Sequence, residues 1–203
     1  KMRTALCALT SFQGTFGFAN GVEWFATEKI DVHGSPSLNW HAEENQVDHI
    51  HRLSELLKHH PAFHDQTRIR VVNHASDDIF ILLRHHQPSG KKLMVVVNLD
   101  DNRSRRASWQ MSETFELPDS WLDLLTGERI TPQMEEGSAV MDLLPGQVLC
   151  ITDDPDDWTK TCKGTETLFQ GPERIVRQRL RTKVLEVLQE FNGFGDLGEQ
   201  DLE

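Results

Sequence analysis

The chain has 203 residues, 37% of them hydrophobic and 26% charged, and a formal net charge of −11. Acidic residues outnumber basic ones by 32 to 21, which argues against a nucleic-acid partner, and no apolar run approaches the ~20 residues of a membrane span. Three cysteines without a disulfide spacing, Cys7, Cys150 and Cys162, are typical of a reduced, cytoplasmic protein.

The N-terminal region, residues 1–65, is predicted to form a strand, a long loop and a helix. We predict the strand over Leu6–Phe12, within the short apolar run ALCALTSF. The helix is predicted over 41–60, with Asn39 as its cap and Pro61 at its end. Its apolar face repeats at three- and four-residue spacing and comprises Val47, Ile50, Leu53, Leu56 and Leu57.

Three glycines follow the apolar run and raise the question of a phosphate-binding loop. Gly14, Gly17 and Gly21 follow the pattern G-x-x-G-x-x-x-G, whereas a dinucleotide fingerprint is G-x-G-x-x-G placed directly before a helix. No helical period follows for about twenty residues. Glycines that permit tight turns at a strand end are therefore the better interpretation.

The second region, residues 66–152, is predicted to be an antiparallel β-sandwich. Apolar, β-branched runs of at least five strands alternate with turn-forming residues. The pairs Thr126-Gly127 and Pro145-Gly146 are placed where the chain must reverse. The predicted strands contain RIRVV, DIFILLRH, KLMVVVNL, WLDLL and QVLCI.

The third region, residues 153–203, is predicted to be an acidic linker followed by a helix. The linker begins DDPDDW, and the helix is PERIVRQRLRTKVLEVLQEF, with Pro172 in its first turn. Such a separate helix needs a partner surface, so we expect it to dock on another domain or subunit, a homo-oligomer being one such arrangement. Its apolar stripe comprises Val176, Leu180, Val184, Val187 and Phe191.

The segment FGFANGVEW resembles the eighth-strand motif of glycoside hydrolase family 13, the α-amylase superfamily, and the match places Gly21 and Glu23 on that motif. The phrases LSELLKHHPAF, KKLMVVVNLDD, LDLLTGE and LLPGQVLCI follow in the order of the family's last barrel helix and C-terminal domain. The resemblance covers residues 1–152. It implies an α+β chain: the last strand-loop-helix of a (β/α)8 barrel, then a β-sandwich and a C-terminal helix.

The segments VVVNLD and DLLTGE are most similar to those of the maltosyltransferases that extend α-1,4-glucans of the glycogen type from maltose 1-phosphate. In this family the catalytic carboxylates lie on the fourth, fifth and seventh barrel strands, which would precede Lys1. Two carboxylates flanking the scissile bond are needed for the chemistry. The resemblance therefore implies no catalytic residue here, an inactive isolated chain, no cofactor, and a glucan bound through an upstream barrel domain.

Two residues are candidates for substrate contact, each with a structural alternative. Glu23 contacts the substrate at the barrel mouth or orders the loop, and loop ordering is the favoured interpretation. Trp24, with Phe25, stacks on a glucosyl ring or packs inside the protein, and packing is expected.

The histidines of the predicted helix and the acidic run are candidates for metal binding. His49, His51, His59, His60 and His64 lack the spacing of a zinc site, and Asp153 to Asp157 lack that of a calcium loop. We therefore expect no metal, a solvated helix end and a solvated linker.

Two classes of function stay open. In the first, the chain is the C-terminal part of a family 13 enzyme, a hydrolase or a transglycosylase. In the second, the region from Arg68 onward is an autonomous β-sandwich module for glucan binding or protein assembly. The first predicts that the Val47–Leu57 face and the Leu6–Phe12 strand lack apolar neighbours in this chain.

Overall fold

The computed structural model describes residues 1–11, 16–27, 38–72, 76–111, 114, 121–162, 180–181, 183–184 and 187. The chain divides into two compact units, Lys1–Lys163 and Gly164–Glu203. In the second unit, the described residues Leu180, Arg181, Lys183, Val184 and Val187 are helical, as the sequence predicts.

The first unit begins with a helix where the sequence predicts a strand. Helix α1 covers Met2–Leu9, and Ala5, Ala8 and Leu9 on one of its faces are fully buried. Their spacing of three and four residues is helical, but a short continuous apolar run is compatible with either structure. The predicted strand is therefore wrong as far as Leu9, and residue 12 lies outside the described residues.

Helix α2 covers Val47–His59 and begins six residues later than predicted. The predicted cap is also wrong, because Asn39 has a left-handed backbone (φ 57°) and its amide donates to the carbonyl oxygen of Trp24. Instead, the side-chain oxygen of Asn45 accepts the backbone N–H of Val47 at 3.1 Å. The helix ends before a 3-10 turn, Pro61–Phe63, so the predicted end is confirmed.

The described residues of the first unit form two open antiparallel sheets, which confirms the predicted α+β class. One sheet has six strands in the order β1-β2-β3-β9-β5-β6, and the other has three in the order β4-β8-β7. The reversals at Gly127 and Gly146 are confirmed, and both glycines have positive φ. The strands are β1 Thr67–Val71, β2 Ile79–His86, β3 Lys92–Asn98, β4 Arg105–Gln110, β5 Trp121–Asp123, β6 Arg129–Ile130, β7 Gln133–Glu135, β8 Ser138–Leu143 and β9 Val148–Thr152.

The two faces of the six-stranded sheet bury two different cores. Because side chains alternate along a strand, Ile81 and Met94 face the three-stranded sheet, while Leu82 and Val95 face the helices. In the core between the sheets, the rings of Trp109 and Trp121 stack with centroids 5.7 Å apart. This arrangement is the predicted β-sandwich.

The other core contains the apolar faces of α1 and α2. On α2, Leu53 and Leu56 are fully buried against α1 and the sheet, and Leu57 is nearly so. The expectation that these faces lack neighbours in this chain is therefore wrong. The reason is that the sandwich itself presents a second apolar sheet face for the helices to cover.

Arg84 on β2 joins that sheet to the helices. Its side chain is fully buried, and it donates from Nε to the carbonyl oxygen of Ala62 and from Nη1 to that of Leu9, at 2.8 and 2.9 Å. The guanidinium also lies 4.4 Å from the centre of the Phe63 ring. Burial lowers the pKa of Arg84 to about 10, so the side chain remains charged at neutral pH.

Arg52 on α2 also donates hydrogen bonds to backbone carbonyl oxygens that are distant in the sequence. Its Nε donates to the carbonyl oxygen of Leu124 at 2.5 Å, and its two terminal nitrogens donate to the carbonyl and hydroxyl oxygens of Thr161. Thr161 ends helix α3, Asp156–Thr161. The guanidinium also stacks on Trp158 at 4.5 Å, so Arg52 holds α3 against α2.

The acidic run that was expected to be a solvated linker contributes a buried carboxylate. Asp157 is 2% exposed, and its oxygens contact His60 Nε2 at 3.1 Å, the Thr152 hydroxyl at 2.8 Å and Lys91 Nζ at 2.7 Å. Lys91 also pairs with Asp154. Burial alone would raise the pKa of Asp157, but the hydrogen bonds from His60 and Lys91 outweigh it and lower the pKa to about 2.

We predict that Asp157 makes the protein sensitive to acid. Because the folded-state pKa of about 2 lies below the ordinary value of 3.8, its contribution is complete above pH 4 and is lost as the pH falls toward 2. The contribution is about 2 kcal/mol. Urea unfolding of Asp157→Asn should show a lower free energy of unfolding at pH 7 and a weaker loss between pH 4 and 2.

The matched control is Asp156→Asn, in the first turn of the same helix but exposed. It should unfold like the wild-type chain at every pH. If both variants lose stability between pH 4 and 2 as the wild-type chain does, the buried Asp157–His60 pair is not the source of the acid sensitivity.

Candidate functional site

The segment around Gly21 forms a tight turn instead of a phosphate cradle. Gly21 has φ +93°, a conformation that favours glycine, and the 3-10 turn Val22–Trp24 follows directly. A Cβ at Gly21 would lie 2.9 Å from the Cβ of Ala26. The interpretation of Gly21 as a turn residue is thus consistent with its geometry, while Gly14 lies outside the described residues.

Glu23 is bound to its own loop. Its Oε2 accepts the backbone N–H of Gly21 at 2.9 Å, and its carbonyl oxygen accepts the N–H of Gln46 at 2.8 Å. The buried Gln46 side chain then donates to the carbonyl oxygen of Val22 and accepts the hydroxyl of Thr4. These bonds fasten the loop to α1 and to the start of α2, as expected of a residue that orders the loop.

Trp24 is half-buried and lies beside the exposed ring of His41. The two ring centroids are 5.5 Å apart and the planes are tilted by 51°. The carbonyl oxygen of Trp24 accepts the Asn39 amide at 2.8 Å. One side of the indole is thus packed, and the side chain is partly exposed.

The backbone next to Trp24 is strained. In the described part of the chain, six non-glycine residues have positive φ, and four of them, Phe25, Leu38, Asn39 and His41, lie in this one loop region. Such residues are energetically costly and concentrate at ligand-binding sites, where the surrounding structure holds them in place. We therefore define the Trp24 loop, residues 16–27 and 38–46, as the candidate functional site.

The described carboxylates with perturbed chemistry serve the fold. Asp123 is fully buried, and burial raises its pKa. The hydrogen bonds that it accepts from the Cys150 N–H and the Thr126 hydroxyl oppose this increase. Asp157 is likewise bound inside the protein, to His60 and Lys91. Both carboxylates therefore act as internal hydrogen-bond acceptors.

The histidines of α2 have separate environments. His60 is buried against Asp157, while His49 is half-buried, and burial lowers the pKa of its ring. Among the described residues, no group of three or more histidines, cysteines or acids is placed to hold a metal ion. Sequence reasoning missed the His60–Asp157 pair because its members are 97 residues apart.

No helix within the described ranges has both the length and the apolar character that crossing a membrane demands.

Comparison with known proteins places this geometry in a fold class. No protein-family model matches the chain, and no curated protein matches it. A maltogenic α-amylase, AmyB from Thermotoga neapolitana, is similar in structure, with a TM-score of 0.59 and 15% identity. The match covers 74% of this chain and 35% of the amylase, so the chain spans about a third of that enzyme's length.

A protein assigned as an α-galactosidase/melibiase from Bacteroides fragilis matches over 38% of this chain and 16% of its own, with 15% identity and a TM-score of 0.30. This second similarity is too low to support an argument. The first shows that most of the chain has an amylase-type fold.

We predict that Gly21→Ala destabilises the Trp24 loop. The substitution combines the strain of positive φ with a contact between the new methyl group and Ala26 that is too short, so unfolding should cost about 2 kcal/mol less. The measurement is urea unfolding monitored by tryptophan fluorescence, together with proteolysis of the folded chain.

Gly17→Ala is the control, because a Cβ at Gly17 has nothing within 4 Å. It should change neither stability nor cleavage. Equal effects of the two substitutions would contradict the role of Gly21 as a special turn residue.

Proposed function

We propose that this chain is the C-terminal part of an α-amylase-superfamily glycosidase or transglycosylase that acts on α-1,4-glucans. The amylase-type fold over most of the chain is the observation that carries the proposal. The order of FGFANGVEW, KKLMVVVNLDD and LDLLTGE along the sequence supports it. In this view residues 1–65 connect the sandwich to an upstream barrel, residues 66–152 form the C-terminal sandwich, and residues 153–203 form a separate C-terminal segment.

The catalytic carboxylates, in this proposal, belong to an upstream barrel domain. Retaining glycosidases need two carboxyl groups about 5 Å apart, one as nucleophile and one as acid/base. In the described ranges, buried Asp123 and Asp157 are occupied by internal hydrogen bonds, as described above. The isolated chain should therefore be inactive, and its contribution is to stabilise the barrel.

The Trp24 loop is the part we assign to the substrate. Glu23, bound to Gly21 N–H, holds the loop, and the half-buried indole of Trp24 offers a stacking surface to a glucosyl ring. The strained residues Phe25 and His41 keep the loop in one conformation, which lowers the entropy lost on binding.

Within this family we propose maltosyl transfer from maltose 1-phosphate in the cytoplasm. The sequences of the segments VVVNLD and DLLTGE support an assignment to the maltosyltransferases. The three cysteines are all free, which is compatible with a reducing compartment. No cofactor or metal is required by this reaction.

One observation favours a second candidate function. The apolar faces of α1 and α2 are covered inside the first unit, with Ala8, Leu53 and Leu56 fully buried. A unit that buries its own helices is able to fold alone. An autonomous, non-catalytic sandwich module that binds glucan or assembles proteins is therefore the alternative.

The decisive test is the coding sequence upstream of Lys1 and the activity of its complete product. We expect a barrel with three strand-end carboxylates and elongation of an α-1,4-glucan from maltose 1-phosphate. The isolated chain should show neither elongation nor hydrolysis. A complete product without a barrel would reject the enzyme and leave the binding module.

Within the complete enzyme, Trp24→Ala should raise KM for the glucan acceptor roughly 5- to 10-fold with little change in kcat, because the stacking energy is about 1 kcal/mol in ground and transition states alike. Met134→Ala, at an exposed position on β7 of the three-stranded sheet, is the control. If Trp24→Ala leaves KM unchanged, the indole only packs.

A further inference from the structure

The second unit presents an apolar helical stripe. Leu180, Val184 and Val187 are exposed by 60%, 45% and 42% of their surface. Spacings of four and three residues place all three side chains on one helical face. We call this face the C-terminal stripe. Exposed aliphatic side chains in such a row are typical of a helix that packs against another helix.

The charge changes sign along the sequence of the predicted helix, 172–191, at the middle of this stripe. Residues 172–184 contain five basic residues and one acidic residue, whereas residues 185–191 contain two acidic residues and no basic residue. The basic residues are Arg174, Arg177, Arg179, Arg181 and Lys183, the preceding acid is Glu173, and the later acids are Glu186 and Glu190.

We propose that the C-terminal stripe binds the same stripe of a second copy of this chain, with the two helices antiparallel. Parallel pairing would place basic residues beside basic residues and acidic residues beside acidic ones. Antiparallel pairing places the basic part of each copy beside the acidic part of the other. The segregation of charge therefore identifies both the partner and the orientation.

The spacing of the stripe also gives a register. In a two-fold antiparallel pair, Val184 of each copy lies opposite Val187 of the other, so the two valines form the central apolar layers. Lys183 precedes Val184 and flanks the seam. Glu190 follows Lys183 by one heptad in the sequence, and an antiparallel pair whose helices continue to residue 190 would bring these opposite charges together.

The association should be weak and depend on concentration. A short two-helix seam lies at the small end of protein interfaces, so we expect a Kd on the order of 10 µM. The proposal does not depend on the glucan-related function, because it concerns only the second unit.

The first experiment is sedimentation equilibrium of the full 203-residue chain over roughly 1 to 200 µM, a range that brackets the expected Kd. The wild-type mass should rise from monomer to dimer. Val184→Glu places a carboxylate in the apolar seam and should raise Kd roughly 100-fold. Since Val184 is exposed, circular dichroism and the thermal unfolding of the first unit should not change. Lys183→Arg keeps the charge and serves as the control.

A charge exchange tests the orientation. Lys183→Glu alone and Glu190→Lys alone should each raise Kd several-fold, and the double variant should restore it, because the pair is then reversed but intact. A wild-type chain that stays monomeric at the highest concentration overturns the proposal, as does a dimer that Val184→Glu leaves unchanged. A dimer that shows no rescue in the double variant overturns the antiparallel orientation.

Discussion

The first unit depends on buried guanidinium groups that bind backbone carbonyl oxygens. Arg84 joins β2 to the end of α1 at Leu9 and to the 3-10 turn at Ala62. Arg52 joins α2 to α3. An unsatisfied buried carbonyl costs about 1–3 kcal/mol, so each arginine stabilises helix ends that the sheet would otherwise leave without donors. Apolar burial supplies the larger driving force, but it is not directional. The arginines determine where the helices lie on the sheet.

The hydrogen bonds of Asp157 also join several elements of the first unit. Its carboxylate binds His60 at the end of α2, Thr152 at the end of β9 and Lys91 in the loop before β3. Burying the Asp157 charge is tolerated because both carboxylate oxygens accept hydrogen bonds, and this explains why part of an acidic, hydrophilic run enters the interior. With the helices held in this way, the bonds from Thr4 and Asn39 give the Trp24 loop a rigid base.

An amylase-type fold with a strained aromatic loop links the two proposals of function. The enzyme fragment would present Trp24 to a glucan beside an upstream barrel, whereas the autonomous module, from Arg68 onward, would bind through the sandwich itself. The burial of Leu53 and Leu56 inside the first unit contradicts the uncovered helix face expected of an enzyme fragment and favours the autonomous module on this point.

The sequence by itself determined the strands β1, β2, β3, β5 and β9 of the larger sheet, because β-branched alternation and the turns at Gly127 and Gly146 are local signals. The strands of the smaller sheet, β4, β7 and β8, were not among those predicted. The sequence also indicated the apolar face of α2 and a resemblance to the α-amylase superfamily. Only the tertiary structure decided that Met2–Leu9 is a helix, since a short apolar run fits both periods. Likewise, the partners of Arg84 and Asp157 are distant along the chain, and no local pattern encodes which carbonyl or cation a buried charge will meet.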